Sequence, residues 1–151
     1  MKHSILILLG LAQCLAASTN PVIEGNARFS VITPQCIRIE YAPGGTFTDA
    51  RSLFAFDRDA RWNGFETKQE GGALTIDTGS IRLVYRPDGA SFHPGNLTAT
   101  IKMGGRSATW TPGAPNPGNL GGTIRTLDNV RGPVDLGEGL LSRDGWYLLD
   151  D

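Results

Sequence analysis

The chain has 151 residues, with 14 Lys or Arg against 15 Asp or Glu and a formal net charge of −1. This balance argues against a general nucleic-acid-binding protein, which needs a basic field, and against a binder of anionic membranes. The length suits one domain and is too short for a complete (β/α)8 barrel, which needs about 200 residues or more. Because 40% of the residues are hydrophobic, the chain can build a packed core.

Residues 1–17 have the layout of a secretory signal peptide. Lys2 supplies the positive start, the run from Ile5 to Leu11 is almost wholly apolar, and small residues follow at Ala16 and Ala17. The run is too short to span a bilayer, which takes about 20 residues. Lipidation of Cys14 is a weaker alternative, because Gln13 stands where a small residue is expected. We therefore expect a secreted protein with a short lead-in at 18–25 and one domain at 26–151.

Apolar and polar residues alternate along most of the domain, which is typical of strands with one buried and one solvent-exposed face. The alternating stretches are 29–31, 37–41, 74–77, 81–85 and 97–103. Gly71-Gly72 and Gly104-Gly105 supply the positive φ that tight hairpins need, so we predict hairpins pairing 66–70 with 73–78 and 97–103 with 106–111. Since no amphipathic helix is evident, the sequence predicts an all-β, antiparallel β-sandwich.

The sequence offers little for metal or nucleophilic chemistry. Once the predicted signal peptide is removed, Cys36 is the one remaining cysteine, so no internal disulfide is expected. Because Cys36 precedes the apolar alternation at 37–41, we expect it to be a small buried side chain. His93 lies in a predicted loop and is expected to be solvated. We therefore predict no metal, no cofactor and no catalytic residue. Asn96-Leu97-Thr98 is an N-glycosylation sequon, which has meaning only in a eukaryotic source.

The stretch 54–65, FAFDRDARWNGF, mixes aromatic residues with carboxylates and arginines. Such a mixture can form a sugar-binding face, because sugar rings stack on aromatic rings and bond through their hydroxyls. The alternative is that Phe54, Phe56 and Phe65 pack in the core while the charges pair on a loop. We favour the alternative.

The end of the chain is the most specific part. It contains NLGGTIRTLD at 119–128 and GLLSRDGWYLLDD at 139–151, and glycines at 118, 121 and 122 permit close backbone approach. These two segments resemble the end of the N-terminal domain of glycoside hydrolase family 31, which includes α-glucosidases and α-xylosidases. The likeness extends upstream through NARFSVITPQCIRIEYAPGGTFTDARS and GALTIDTGSIRLVYRP, and so covers about residues 26–151.

The resemblance implies a galactose-mutarotase-like sandwich whose final strands come from chain beyond Asp151. It also implies a following (β/α)8 barrel that carries both aspartates of a retaining mechanism, so no catalytic residue is assigned here. Where the missing chain would pack, we expect an unpaired strand edge and an apolar patch.

One loop of the domain is expected, by resemblance, to contribute to the subsite for an α-linked oligosaccharide or glycoside. Asp144 would accept hydrogen bonds from sugar hydroxyls, Arg143 would orient it, and Trp146 would add an apolar wall. The alternative is a hairpin turn of Arg143 and Asp144 with Gly145, in which Trp146 and Leu148 fill the core.

Three functions are therefore compared. The favoured one is the N-terminal domain of a secreted α-glycosidase, inactive alone. The second is a stand-alone carbohydrate-binding module that uses Trp62, Trp110 or Trp146. The third is an interaction domain without a ligand, whose exposed face binds a partner chain.

Overall fold

A computed structural model describes residues 19–122, 128–129, 131–134 and 137–149. The predicted signal peptide lies outside these ranges. The described residues form eight strands in two antiparallel sheets and contain no helix, which confirms the predicted all-β sandwich. The strands are β1 Val22–Glu24, β2 Ala27–Thr33, β3 Cys36–Tyr41, β4 Glu66–Glu70, β5 Ala73–Asp77, β6 Ile81–Tyr85, β7 Leu97–Met103 and β8 Arg106–Trp110.

Each sheet is a simple meander, with the strands side by side in chain order. Both predicted hairpins are confirmed to within one residue: β4 pairs with β5, and β7 pairs with β8. The two hairpins turn at glycine pairs that adopt positive φ, which only glycine reaches without strain. Strand β1 was not predicted; it lies in the segment treated as a lead-in and is too short to show an alternation.

The core lies between the two sheets. Phe29 and Val31 of β2 are fully buried against Ile76, Leu83 and Tyr85 of the larger sheet. The Phe29 and Tyr85 ring centroids lie 5.4 Å apart. Burial of each such side chain contributes about 1.5–3 kcal/mol. These contacts join the sheets into one unit.

Strand β2 is buried on both faces, which the alternation did not predict. Its outward side chains Arg28 and Ser30 are closed to solvent, although this face was expected to be wet. Loop 46–61 runs over them and supplies polar partners, among them the Thr48 carbonyl, which accepts from Arg28. An alternating strand reports which side chains share a face, but a later loop decides whether that face meets water.

Candidate functional site

The predicted sugar-contacting residues lie in a tight turn. Ser142 N donates to Trp146 O at 3.1 Å and Gly145 N donates to Ser142 O at 3.0 Å, which places Arg143 and Asp144 at the exposed tip. Gly145 has φ +80°, and a Cβ there would lie 2.2 Å from the Met103 sulfur at the end of β7. The turn thus closes against the β7–β8 hairpin, and its geometry requires glycine.

A second segment, 116–119, holds the turn from the other side. The buried Ser142 hydroxyl donates to Asn116 Oδ1 at 2.9 Å and accepts from Asp144 N at 3.1 Å. Arg143 N donates to Gly118 O at 2.7 Å. A Cβ on Gly118 would lie 2.8 Å from Ser142 Oγ. The prediction that another segment approaches the backbone closely is therefore confirmed at Gly118.

Asn119 links the segment at 116–121 to Gly139, just before the turn. This role of Asn119 was not identified from the sequence. Its Oδ1 accepts from Gly121 N and Gly139 N, both at 2.7 Å, while its Nδ2 donates to Gly139 O at 2.8 Å. The same residue forms an isolated bridge with Ser142. Asparagine in a glycine- and proline-rich loop often bonds to nearby backbone, and this signal could have marked it.

The turn displays a carboxylate and a guanidinium to solvent. Within the described ranges, the side chains of Arg143 and Asp144 have no hydrogen-bond or ion-pair partner, and both residues are exposed. The hairpin-turn interpretation is correct for their backbone. It is wrong for Leu148, which is half exposed and does not fill the core, while Trp146 is half-buried. The proposed contact with sugar stays a prediction.

Large apolar side chains stay exposed on the segments that build this turn. Five large apolar side chains that remain about half exposed belong to the segments that build it: Leu120, Leu140, Leu141, Tyr147 and Leu148. Exposed apolar clusters of this kind mark surfaces that contact another protein or a ligand. The segments that present Asp144 therefore also expose apolar side chains suited to packing.

Trp62 and Trp110, two of the tryptophans named for a stand-alone binding module, are held in the packing of the domain. Both are partly buried and pack against the core cluster. A Cβ on Gly64 would lie 2.4 Å from the Trp62 ring, so this ring is covered from that side. Of the three tryptophans considered for a stand-alone binding module, two therefore have structural roles.

The aromatic and charged stretch 54–65 divides between core and surface. Phe65 is buried in the core as expected, but Phe54 and Phe56 are 61% and 72% exposed, so the expectation of core packing is wrong for them. Arg58 turns inward toward Glu40 of β3, at 3.4 Å between Nη2 and Oε1. Arg58 therefore pairs with the sheet beneath the loop, whereas Arg61 donates to the carbonyls of Arg58 and Ala60 within the loop.

His93 lies in the β6–β7 loop, as expected, but is a structural partner of Asp88. His93 Nε2 lies 2.7 Å from Asp88 Oδ2, and Gly95 N donates to His93 Nδ1. The hydrogen bonds from His93, from Asn96 and from the backbone of Ala90 lower the pKa of Asp88 to about 2. This network stabilises the loop that places Phe92 against Tyr41.

Asn96, the sequon residue, belongs to the same network. It is only 3% exposed. Its Nδ2 donates to Asp88 Oδ1 at 3.1 Å and to Ser91 O at 3.0 Å, and its Oδ1 accepts from His93 N. Since a glycosylated amide keeps one N–H, a glycan would remove at least one of the two donated bonds. The sequon by itself predicts a glycan, whereas the burial of its amide predicts none.

Cys36 lies half-buried at the start of β3 and forms no disulfide. Burial raises the pKa of its thiol, which disfavours the nucleophilic thiolate. No group of three or more His, Cys, Asp or Glu among the described residues is arranged to hold a metal ion.

A search of the described residues for a helix long and apolar enough to cross a membrane finds none.

Comparison with known proteins gives one informative likeness. No protein-family model matches the chain. Over 112 residues, the chain is 33% identical to a protein described as "Probable beta-galactosidase C" from Neosartorya fischeri. The match spans 72% of this chain and 11% of that relative, so the likeness concerns a small part of a much longer protein. The chain is thus similar to one region of a glycosidase, and this likeness does not identify family 31.

Proposed function

We propose that this chain is the β-sandwich domain of a secreted glycoside hydrolase of the family 31 type. The domain supports a (β/α)8 catalytic barrel in the same polypeptide and is inactive alone. Two observations support the proposal: the sequence resemblance in the final segments, and the likeness to a small part of a protein named as a glycosidase.

The single observation that carries the substrate role is the anchored turn at 142–145. Its backbone is held by Asn116, Gly118 and Ser142, yet the side chains of Arg143 and Asp144 are exposed. A rigid backbone that presents a carboxylate can accept sugar hydroxyls at little conformational cost. The exposed apolar side chains of the same segments provide a surface on which a barrel would pack.

The anomeric specificity follows from the resemblance, which implies α-linked substrates. The relative from Neosartorya fischeri is named for a β-linked substrate. Assays of the proposed enzyme therefore include aryl α-glucoside, α-xyloside and β-galactoside side by side. We expect cleavage of an α-linked substrate.

The test begins with the transcript beyond the codon for Asp151. We expect the reading frame to continue into a barrel with two catalytic aspartates. In the purified longer polypeptide, Asp144→Asn should lower kcat/KM by about ten-fold or more, because a hydrogen bond to a charged group is lost. Asp59→Asn, which removes an exposed carboxylate from another loop, is the matched control.

Two results would overturn the proposal. A stop codon directly after Asp151 removes the barrel and with it the hydrolase. An active longer enzyme in which Asp144→Asn behaves like Asp59→Asn removes the substrate role of the turn and leaves only a supporting role for the domain.

A further inference from the structure

The Asp144 carboxylate is exposed, yet its position is constrained on one side. A Cβ on Gly118 would lie 2.9 Å from Asp144 Oδ2 and 3.3 Å from Asp144 Cγ. The carboxylate therefore lies against the backbone of Gly118, in the segment that holds the turn. Because an aspartate side chain is short, the place of its carboxylate depends chiefly on where the backbone of residues 142–145 lies.

The Ser142 hydroxyl fixes that backbone through two hydrogen bonds. Ser142 is only 8% exposed. A serine hydroxyl donates its proton once and accepts through its lone pairs. Here it donates to Asn116 Oδ1 at 2.9 Å and accepts from Asp144 N at 3.1 Å. The hydroxyl thus links Asn116 to the backbone N–H of the residue that carries the carboxylate.

Met103 provides a second, apolar support for the turn. It is half-buried at the end of β7. A Cβ on Gly145 would lie 2.2 Å from the Met103 sulfur and 3.4 Å from its terminal methyl, so the thioether fills the space beside this glycine. Methionine is flexible and packs into irregular gaps of this kind. Met103 therefore joins the turn to the larger sheet, whereas Ser142 joins it to segment 116–119.

We propose that Ser142 and Met103 are positioning residues of the proposed hydrolase and that both act on the substrate through Asp144. This inference rests on the proposed function, because it needs a sugar hydroxyl at the Asp144 carboxylate. Ser142 holds the N–H of Asp144, and Met103 holds the next residue, Gly145. Displacing the turn by about 1 Å would weaken the contact with sugar, and misplacements of that size can cost roughly 100-fold in rate.

The test measures kcat and KM separately in the purified longer polypeptide, with the aryl α-glucoside, α-xyloside or β-galactoside that it cleaves. Ser142→Ala should lower kcat/KM by about five-fold, the effect of one lost hydrogen bond. The loss should divide between kcat and KM as it does in Asp144→Asn, since both variants disturb the same contact. Ser107→Ala, which removes an exposed serine hydroxyl from β8, is the matched control and should change neither constant.

Met103 gives an independent pair of variants and keeps the proposal testable if Ser142→Ala fails to fold. Met103→Ala removes the contact with Gly145 and should lower kcat/KM by a similar factor. Met103→Leu nearly keeps the volume, so it should retain about half or more of the wild-type value. Leu53→Ala, which removes a side chain that is 92% exposed, is the control for the loss of a large apolar group.

Combination with Asp144→Asn separates positioning from general support of the fold. Residues that act through one group are not additive. In the Asp144→Asn background, Ser142→Ala and Met103→Ala should therefore lower kcat/KM by about two-fold or less. A check without substrate uses the 151-residue chain: the amide proton of Asp144 should exchange with solvent faster in Ser142→Ala and at the wild-type rate in Ser107→Ala.

The possible failures are distinguishable. A variant of Ser142 or Met103 that matches its control removes the positioning role of that residue, while the substrate role of Asp144 stands. Losses that add in full to the loss in Asp144→Asn also overturn this inference alone, because residues that only stabilise the fold behave in that way. If Asp144→Asn equals Asp59→Asn, or a stop codon follows Asp151, the proposed function fails and this inference fails with it.

Discussion

Arg28 and Glu40 lie opposite each other on β2 and β3, and Arg28 donates to both carboxylate oxygens of Glu40 at 2.7 and 2.8 Å. This hydrogen bond, more than any other contact, raises the pKa of Arg28. Arg38 and Arg58 lie 3.3 and 3.4 Å from the same carboxylate. One carboxylate therefore pairs with arginines from both the sheet and the covering loop.

Replacing Glu40 should destabilise the fold strongly. Glu40→Gln leaves Arg58 without its carboxylate partner and Arg28 with only the exposed Asp49, although both guanidinium groups are largely closed to water. The expected loss in free energy of unfolding is about 3 kcal/mol, as for other broken buried pairs. Urea unfolding measures it. Glu70→Gln, which breaks the exposed pair with Lys68, is the control and should change stability little. Equal midpoints for the two variants would contradict the role assigned to Glu40.

The β6–β7 loop should make stability depend on acid pH through Asp88. The pKa of Asp88 is lowered to about 2 in the folded chain, first by the hydrogen bond from His93. In the unfolded chain an aspartate has a pKa of about 3.9. A lowered folded pKa means that the contribution is fully present above the unfolded pKa and is lost as the pH falls toward the folded value.

The measurement is the thermal midpoint between about pH 5 and pH 2, which runs from above the unfolded pKa of Asp88 down to its folded pKa. Asp88→Asn should flatten the fall that the wild-type chain shows across this window. Asp59→Asn serves as a control for the loss of a carboxylate elsewhere and should keep the wild-type profile. An unchanged slope in Asp88→Asn would show that this loop does not contribute.

Gly118→Ala should disturb the turn that carries Asp144. The added Cβ would lie 2.8 Å from Ser142 Oγ and 2.9 Å from Asp144 Oδ2, so the turn must shift. We expect a loss of about 1–3 kcal/mol, typical of overpacking. Amide resonances of 142–145 should move. Gly44→Ala, where a Cβ meets nothing within 4 Å, is the matched control. Unmoved resonances in Gly118→Ala would mean that the two segments are not in close contact.

Two variants should distinguish the buried hydrogen bonds of Asn96 from its place in a glycosylation sequon. Asn96→Ala removes the buried acceptor of His93 N and the two donated bonds, and we expect it to cost about 2–3 kcal/mol. Thr98→Val removes the sequon but leaves the amide intact, and valine suits this strand position opposite Val84.

Intact mass of both forms from a eukaryotic host gives the glycan occupancy. Because Nδ2 is committed inside the fold, we expect the wild-type chain to carry no glycan and Thr98→Val to match it in mass apart from the substitution. A glycosylated wild-type chain of equal stability would show that the Asn96 bonds are dispensable.

The strands and hairpins could be predicted because their determinants are local. The alternation around Leu74 and Leu83 reports which side chains share a buried face, and the glycine pairs supply the φ values of the turns. The same local logic failed for β1, which has only three residues.

The charged cluster and the anchored turn could not be predicted, since their partners are distant in the chain. The residues next to Arg28 in the sequence do not indicate that Thr48 will contact it or that Arg58 will share a cavity wall with it. The residues next to Ser142 do not indicate that Asn116 will accept its hydrogen bond.

The sequence by itself determined the all-β class, the hairpin pairs and the buried faces, through short-range periodicity. Only the tertiary structure decided that the outer face of β2 is covered, that Phe54 and Phe56 are exposed, and that Asn96 is closed to solvent. The physical reason is that burial depends on which loops pack over a residue, and that packing is set by contacts between residues far apart in the chain.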